Sequence, residues 1–342
     1  MADAICMGEL LIDFVPVTTG TDLLTATAFQ KAPGGAPANV AVGLSRLGTS
    51  SALMGRASED GFGRFLIKTL EDSGVDVSLM RRSRRTRTPL AFVSLAEDAE
   101  REFLFYGDPS AGFCPEDVDF SAIAKAKLVH FGSIGLIPEA SCTATLQAVD
   151  AARGQGLHVS FDANLRLDLW PTADSAREAI REGIERATIV KLSDDELDFL
   201  TGATDPVEGA RSLMHAGTAL MVVTHGRHGC TFVTREVAGK VSSFKVDPVD
   251  TTGAGDAFMA GLLTGLLEHP NAPLTSDLLH AMCLFANAAG ALATTQRGGI
   301  PGLPHRADVT ALVGKDPATA PSNHSPKFDV DEAALDLGLR AM

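Results

Sequence analysis

The sequence lacks the features that would place the chain in a membrane, outside the cell or on nucleic acid. No run of about 18 uncharged apolar residues occurs, so no membrane-spanning helix is predicted. The five cysteines are scattered without a Cys-x-x-Cys pair, and no basic, apolar leader opens the chain, so we expect reduced thiols and a cytoplasmic location. Basic residues are few: 29 Lys and Arg against 43 Asp and Glu give a net charge of −14, which disfavours nucleic acid as a partner.

Motifs of several enzyme classes are also missing. The chain contains no G-x-x-x-x-G-K-[ST] phosphate loop, no H-E-x-x-H metal motif and no G-x-S-x-G nucleophile motif. The dinucleotide pattern G-x-G-x-x-G fails as well, because Phe258 stands where a third glycine would follow Gly253 and Gly255. A nicotinamide-dependent dehydrogenase is therefore disfavoured and ranks as the last alternative.

Alternating strand and helix patterns predict the main fold. From about residue 125 onward, short apolar runs at Leu128–Phe131, His158–Phe161, Ile189–Leu192 and Leu220–Thr224 alternate with helical stretches. This βα repetition predicts an α/β fold with a doubly wound, mostly parallel sheet flanked by helices.

The remaining segments predict a small second sheet and a tail. Strands approximately at 12–31 and 86–106 do not fit the βα repetition, and they predict a small β-sheet that would serve as a lid. We expect one domain over residues 1–314. A linker rich in Pro, Ala and Ser and a short helix are expected over 315–342.

Two strand predictions concern the surroundings of the site. Residues 4–15 form an almost continuous apolar run, which predicts one buried strand that continues past Gly8 and ends near Asp13. Val241–Val246 is predicted to pair antiparallel with Cys230–Thr234, just before a glycine-rich turn.

That turn lies within Asp250–Phe258 and precedes an apolar helix. The backbone N–H groups of Gly253, Ala254 and Gly255 would face outward at a helix N-terminus, where an anion binds readily. Asp256 adds a carboxylate in the same first turn, so one group would take a proton while the others hold a phosphate. The alternative is that glycines and an aspartate simply begin a buried helix.

A second set of polar residues lies about two hundred residues earlier in the chain. Asp13 and Asn39 flank the glycine loop at Gly34 and Gly35. A carboxylate, an amide and exposed backbone N–H groups are the usual partners of sugar hydroxyls. The alternative is that Asp13 caps a turn and Asn39 caps a helix.

Together these two segments resemble the signatures of one enzyme family. PGGAPANVAVGLSRLG (33–48) and DTTGAGDAFMAGL (250–262) are similar to the first and second signatures of the ribokinase-like, or PfkB, carbohydrate kinases. The resemblance covers residues 4–312. GELLIDFVP, NLRLDLW and KLSDDELDFLTG are most similar to the fructokinase branch of that family.

The resemblance implies an enzyme that uses ATP and Mg²⁺ to phosphorylate a small-molecule sugar. Asp256 would be the catalytic base, and Gly253, Ala254 and Gly255 would form the anion hole. Asp13, Gly34, Gly35 and Asn39 would bind the sugar. Arg166 would lie near the phosphates and offset charge in the transition state, or else form a salt bridge at a helix start.

The resemblance also assigns nucleotide and cation positions. Thr224, Gly226, Gly229 and Asn287, together with Gly253 and Gly255, match positions that bind the nucleotide. Glu196 would organise Mg²⁺ through water, although Ser193 replaces the family's usual asparagine. Asp250 and Thr252 match positions where some relatives bind K⁺.

The lid residues bear on which sugar is bound. Phe103 and Phe105 would roof the sugar, or would pack in a homodimer seam through the lid. Residues 106–112 lack an Arg and an Asp that fructokinases carry there. The similarity to the fructokinase branch implies phosphorylation of D-fructose to fructose 6-phosphate, and the altered loop leaves 2-keto-3-deoxygluconate or ribose as the alternative sugars. A catalytically silent sugar-binding regulator is the alternative of a different class.

Overall fold

The computed structural model of the protein describes residues 2–18, 20–93 and 103–315. Its large sheet has nine strands in the order β13-β12-β11-β10-β9-β8-β1-β4-β5. Neighbouring strands are parallel except at one end of the sheet, where β12 is antiparallel to both β11 and β13. These strands are β1 Ala4–Met7, β4 Ser51–Ser58, β5 Met80–Ser83, β8 Leu128–Gly132, β9 His158–Asp162, β10 Ile189–Ser193, β11 Leu220–Thr224, β12 Cys230–Val233 and β13 Ala238–Val241.

Helices cover both faces of this sheet, as the βα pattern predicts. Successive residues of a strand point to opposite faces, so Ala4 and Cys6 enter one core while Ile5 and Met7 enter the other. The helices of the first core are α1 Ala36–Arg46, α2 Gly61–Asp72, α8 Ala254–Glu268, α9 Ser276–Ala293, α10 Gly299–Gly302 and α11 Arg306–Val313. Those of the second are α3 Phe120–Ile123, α4 Glu139–Gly154, α5 Ala173–Arg186, α6 Asp194–Thr201 and α7 Pro206–Leu213.

The predicted small sheet is present. It has the strand order β3-β2-β6-β7, with bounds β2 Leu11–Pro16, β3 Phe29–Gly34, β6 Leu90–Val93 and β7 Phe103–Tyr106. Stacked and edge-on aromatic rings of Phe14, Phe92 and Tyr106 fill one of its faces. The tip of the predicted hairpin at 97–100 and the tail from residue 316 lie outside the described residues.

Two of the strand predictions are wrong in their bounds. The run at 4–15 is two strands in two different sheets, because the backbone turns at Gly8 with φ +140° and carries the chain into the small sheet. Asp13 consequently lies inside β2 and not at the end of a core strand. The edge strand β13 ends at Val241, where the other prediction begins it, and residues 242–250 are irregular.

Small residues bring the helices of the site together. A Cβ atom built on Gly43 in α1 would lie 2.6 Å from Cβ of Ala260 in α8. One built on Gly261 would lie 2.9 Å from Cα of Ala286 in α9. These glycines therefore allow close helix packing, which sets α1 directly against α8.

By length and composition, one described helix, α9, is long and apolar enough to cross a membrane. However, 67% of it is buried inside the structure. It packs against α8, α11 and the end of the large sheet, as the core helix of a globular domain does.

Candidate active site

The N-terminus of α8 is open to an anion. Its first residue is preceded by Gly253, which adopts the left-handed conformation (φ +79°), and no side chain caps the helix. The N-terminal N–H groups of a helix lack intrahelical partners. The Ala254 N–H is bonded to the Thr251 carbonyl oxygen at 3.2 Å, so Gly253 and Gly255 are the better placed donors of the predicted anion hole.

Asp250 holds this turn in place. One of its carboxylate oxygens accepts from the backbone N–H and the hydroxyl of Thr252, at 2.9 and 2.7 Å. The other accepts from the Gly298 N–H at 2.8 Å, which fixes the start of α10 against the turn. These contacts give the two predicted K⁺ residues a structural function.

The glycine loop before α1 is shaped by two carboxyl groups. Gly35 has φ +113°, and any side chain there would collide with the Glu9 carbonyl oxygen. A side chain on Gly34 would collide with the Asp13 carboxylate. One Glu9 carboxyl oxygen accepts from the Ala36 N–H at 3.0 Å, which ties the start of α1 to the chain before β2.

A single cavity joins the two helix N-termini. Its lining comprises Glu9, Leu11, Asp13, Gly35, Ala36, Asn39, Phe105, Ile134, Asp162, Asn164, Arg166, Lys191, Thr251, Thr252, Gly253, Gly255 and Asp256. Asn39 Nδ2 donates to Asp256 Oδ2 at 2.7 Å across 217 residues of sequence. The predicted sugar half and phosphate half are therefore one site.

Three carboxyl groups of the cavity are protonated more readily than usual. Burial raises the pKa of Glu9 to about 7 and that of Asp13 to about 7. Burial also raises the pKa of Asp256 to about 6, while the Asn39 hydrogen bond and the positive charges of Lys191 and Arg166 hold it down. A pKa near 6 suits a base that must accept a proton near neutral pH.

Arg166 is one of the residues that line the cavity. It follows β9 and begins a short 3₁₀ turn, and its guanidinium lowers the pKa of Glu9, Asp13 and Asp256 alike. Its neighbour Asn164 lines the same wall with a left-handed backbone (φ +36°), a strained conformation that often marks functional loops.

The neighbouring strands β9 and β10 add an ion pair that the sequence does not reveal. Lys191 Nζ lies 2.8 Å from both carboxylate oxygens of Asp162, and both residues are buried. Burial disfavours the ammonium, but Asp162 and Glu196 more than offset this, so the pKa of Lys191 is raised and its charge is kept.

Glu196 serves as a clamp between two loops. One carboxylate oxygen accepts from the Leu165 N–H and the other from the Ser193 N–H, each at 2.7 Å. The Ser193 hydroxyl in turn accepts from the Glu196 N–H, which completes a capping box at α6. Glu196 is not part of the cavity lining, and among the described residues no cluster of three or more His, Cys, Asp or Glu side chains is arranged to hold a metal ion.

The predicted nucleotide residues frame a second cleft, lined by Asp194, Pro206, His225, His228, Cys230, Lys240, Val241 and Ser242. Thr224, Gly226 and Gly229 belong to the strand end and turn that present His225 and His228. Asn287 lies behind the cleft and donates to the Val241 and Ser242 carbonyl oxygens at 3.1 and 3.3 Å. Thr224, Gly226, Gly229 and Asn287 therefore do not line the cleft, but they adjoin or hold the residues that do.

Nine of the eighteen predicted site residues line the first cavity: Asp13, Gly35, Asn39, Phe105, Arg166, Thr252, Gly253, Gly255 and Asp256. Phe105 of β7 reaches the cavity, whereas the Phe103 side chain lies outside the described residues. Sequence reasoning missed Glu9, Asp162 and Lys191. Their one signal was position, because each is a charged residue in or beside an apolar run. Glu9 follows β1, Asp162 ends β9 at the sheet edge where ligands of α/β sheets bind, and Lys191 lies in the middle of β10.

Comparison with known proteins agrees with this geometry. Residues 1–306 match the model of the pfkB family carbohydrate kinases. The chain is 48% identical over 318 residues to "Probable fructokinase-6, chloroplastic" of Arabidopsis thaliana, covering 90% of this chain and 83% of that protein. It is 45% identical over 315 residues to "Fructokinase-1" of Zea mays, covering 91% and 97%.

A solved structure extends the likeness to three dimensions. The fructokinase of Xylella fastidiosa with bound ATP superposes with a TM-score of 0.84 at 31% identity, covering 92% of this chain and 99% of that one. The two signature segments, the site that they build and the match over nearly the whole fold agree: this chain belongs to the pfkB family of carbohydrate kinases.

Proposed function

We propose that this ATP-dependent sugar kinase phosphorylates D-fructose at its C6 hydroxyl. The observation that carries the proposal is the hydrogen bond from Asn39 to Asp256, which sets a sugar-binding group of one signature against the base of the other. The names of the Arabidopsis and maize relatives favour fructose as the sugar.

In the proposed reaction, Asp13, Asn39 and the glycine loop bind the hydroxyls of the sugar. Asp256 takes the proton from the C6 hydroxyl as its oxygen attacks the γ-phosphorus of ATP. The bond between that phosphorus and the β–γ bridging oxygen breaks, and ADP leaves. The N–H groups of Gly253 and Gly255, with Arg166, stabilise the charge on the transferring group.

The use of Mg²⁺ and K⁺ is part of the proposal, and the oxygen-bearing side chains of Glu196, Asp250 and Thr252 are the groups that would interact with these ions. Mg²⁺ usually binds few protein carboxylates and keeps waters and phosphate oxygens as ligands, so Glu196, which lies outside the cavity lining, would act on the ion through water. When bound, Mg²⁺ would neutralise charge on the phosphates. K⁺ would bind at Asp250 and Thr252, and its effect is tested by comparing turnover in KCl and in NaCl at equal ionic strength.

A sugar panel tests the substrate. ADP release is measured with fructose, 2-keto-3-deoxygluconate, ribose and glucose, and the product of the best sugar is identified by NMR. We expect the highest kcat/KM for fructose and phosphorylation at C6. A tenfold preference for another sugar would reject fructose while leaving the kinase chemistry intact. A sugar-induced thermal shift without ADP release would instead indicate a silent sugar-binding protein.

We also propose that the small sheet acts as a lid and as the seam of a homodimer. Its edge strand β7 exposes Leu104 (44%) and Tyr106 (54%), two residues apart and therefore on one face, where a partner subunit could cover them. Sedimentation velocity at micromolar concentration is expected to give a dimer, and Leu104→Asp/Tyr106→Asp is expected to give a monomer. A native monomer would reject the seam. The cytoplasmic location remains a prediction.

A further inference from the structure

A buried ion pair lies directly beneath the glycine turn. Lys191 is in the middle of β10, and the parallel register sets it beside Asp162, the last residue of β9. The ammonium donates to both oxygens of Asp162 at 2.8 Å, and the two side chains are only 7% and 4% exposed. An ammonium has three N–H donors, so a further donor remains for another acceptor.

The absence of a side chain at Gly255 leaves room for the Lys191 ammonium beside the start of α8. A Cβ atom built on Gly255 would lie 3.3 Å from Lys191 Nζ, closer than nine in ten Cβ contacts in proteins. Lys191, Gly255 and Asp256 all line the same cavity. The missing side chain therefore brings the ammonium close to the start of α8, where a phosphate group would meet the helix N–H groups.

Stability alone does not explain a charged pair at this position. Burying two ions costs several kcal/mol each, and apolar replacements of similar volume are often neutral or stabilising. A fixed charge that faces developing negative charge in a water-poor site is worth far more than in solvent. A chain with a net charge of −14 also needs local cations to hold a polyanionic nucleotide.

We propose that Lys191 is a catalytic residue that binds an oxygen of the transferring phosphoryl group, and that Asp162 is the positioning residue that fixes its ammonium. The inference rests on the proposed phosphoryl transfer at Asp256. Lys191 makes and breaks no covalent bond: the γ-phosphoryl group passes from ATP to the sugar oxygen, ADP leaves, and the proton of that hydroxyl goes to Asp256.

The test variants are Lys191→Met, Lys191→Met/Asp162→Asn and Asp162→Asn. The single lysine change leaves a buried carboxylate unpaired, whereas the double variant removes both charges at similar volume and is the one expected to fold. Thermal melting followed by circular dichroism checks the fold. The kinetic readouts are kcat and the KM values for ATP and for the sugar. Two affinities are also measured: that for Mg·ADP alone, and that for Mg·ADP together with aluminium fluoride and the best sugar of the panel. In the second complex, aluminium fluoride mimics the phosphoryl group in transfer.

For the two lysine variants we expect kcat to fall about 10²–10³-fold, with KM for the sugar changed less than about threefold. The aluminium fluoride complex is expected to weaken by a similar factor while ADP binds normally. Asp162→Asn keeps the cation but holds it loosely, so a smaller loss of kcat is expected, again with normal ADP binding. A merely structural pair would lower the melting temperature and leave the ratio of the two affinities unchanged.

A folded double variant with kcat within about fivefold of native, or with an unchanged aluminium fluoride affinity, overturns the role of Lys191. If the lysine variants do not fold, Asp162→Asn decides, and an unchanged kcat in it rejects the proposal. Asp256→Asn is measured in parallel. Retained turnover in Asp256→Asn would reject the proposed base, whereas loss of turnover there beside a fully active double variant rejects only the role of Lys191.

Discussion

At the scale of single residues, the proposed chemistry depends most on Asp256, the proposed base. Asp256→Asn keeps the shape and the Asn39 contact but cannot accept a proton, so kcat is expected to fall by about 10²–10⁴-fold. Sugar and ATP should bind within about threefold of native, as measured by calorimetry. Turnover above a few per cent, with binding intact, would mean that another group is the base.

The same residue predicts a pH dependence. The base must be ionised, and the pKa of Asp256 is about 6, so kcat/KM is expected to rise with pH through a limb near 6. The Asn39 hydrogen bond stabilises the ionised form, and its removal in Asn39→Ala therefore moves the limb to higher pH. Asn271→Ala, an exposed site, is the control and should leave the limb in place. If the pH at which kcat/KM rises is the same in Asn39→Ala as in the native protein, Asn39 does not affect the pKa of Asp256.

Asp256 and Asn39 could be predicted from the sequence, whereas the pair of Lys191 and Asp162 could not, for a physical reason. Asp256 and Asn39 stand in local patterns, a glycine turn and a helix start, whose chemistry can be read over a few residues. The partnership of Lys191 with Asp162 depends on the register between two strands that lie 29 residues apart. Register is set by packing of the whole sheet, and no short motif contains it.

At the scale of elements, Gly8 marks the point where the chain leaves the large sheet for the small one. Apolar periodicity cannot detect this break, because Met7 and Leu10 are buried on both sides of it. What reveals it is the backbone conformation, φ +140°, which only glycine adopts readily. The βα repetition after residue 125, by contrast, was predictable because each strand is a short apolar run between helices.

The break at Gly8 yields a stability prediction. In Gly8→Ala the new Cβ would lie 2.7 Å from Pro37 Cγ in an unfavourable backbone region, so the free energy of unfolding is expected to fall by about 1–3 kcal/mol. Gly154→Ala, in α4 with no atom within 4 Å of its Cβ, is the matched control and should be neutral or stabilising by up to about 1 kcal/mol. Urea unfolding measures both. Equal midpoints would show that the turn relaxes without strain.

At the scale of the whole molecule, the site holds more buried negative charge than it neutralises. Glu9, Asp13 and Asp256 face one cavity, and each has a pKa raised to about 6 or 7. Arg166 lowers the pKa of all three, but burial dominates. A sugar that hydrogen-bonds these groups, with a nucleotide and its cation, would complete an arrangement that the chain alone leaves unfavourable at neutral pH.

The raised pKa values predict how stability depends on pH. The folded state holds these protons more tightly than the unfolded state, where carboxyls titrate near 4, so their stabilisation is present below about pH 4 and is lost as pH rises through 6 to 7. Glu9→Gln keeps an acceptor for the Ala36 N–H and cannot ionise. It is expected to reduce the loss of unfolding free energy between pH 4.5 and pH 8 by on the order of 2 kcal/mol. Urea unfolding at pH 4.5 and at pH 8 tests this, with Glu71→Gln, a change at an exposed glutamate, as the control. If both variants lose the same unfolding free energy between the two pH values, the Glu9 carboxyl is in contact with water.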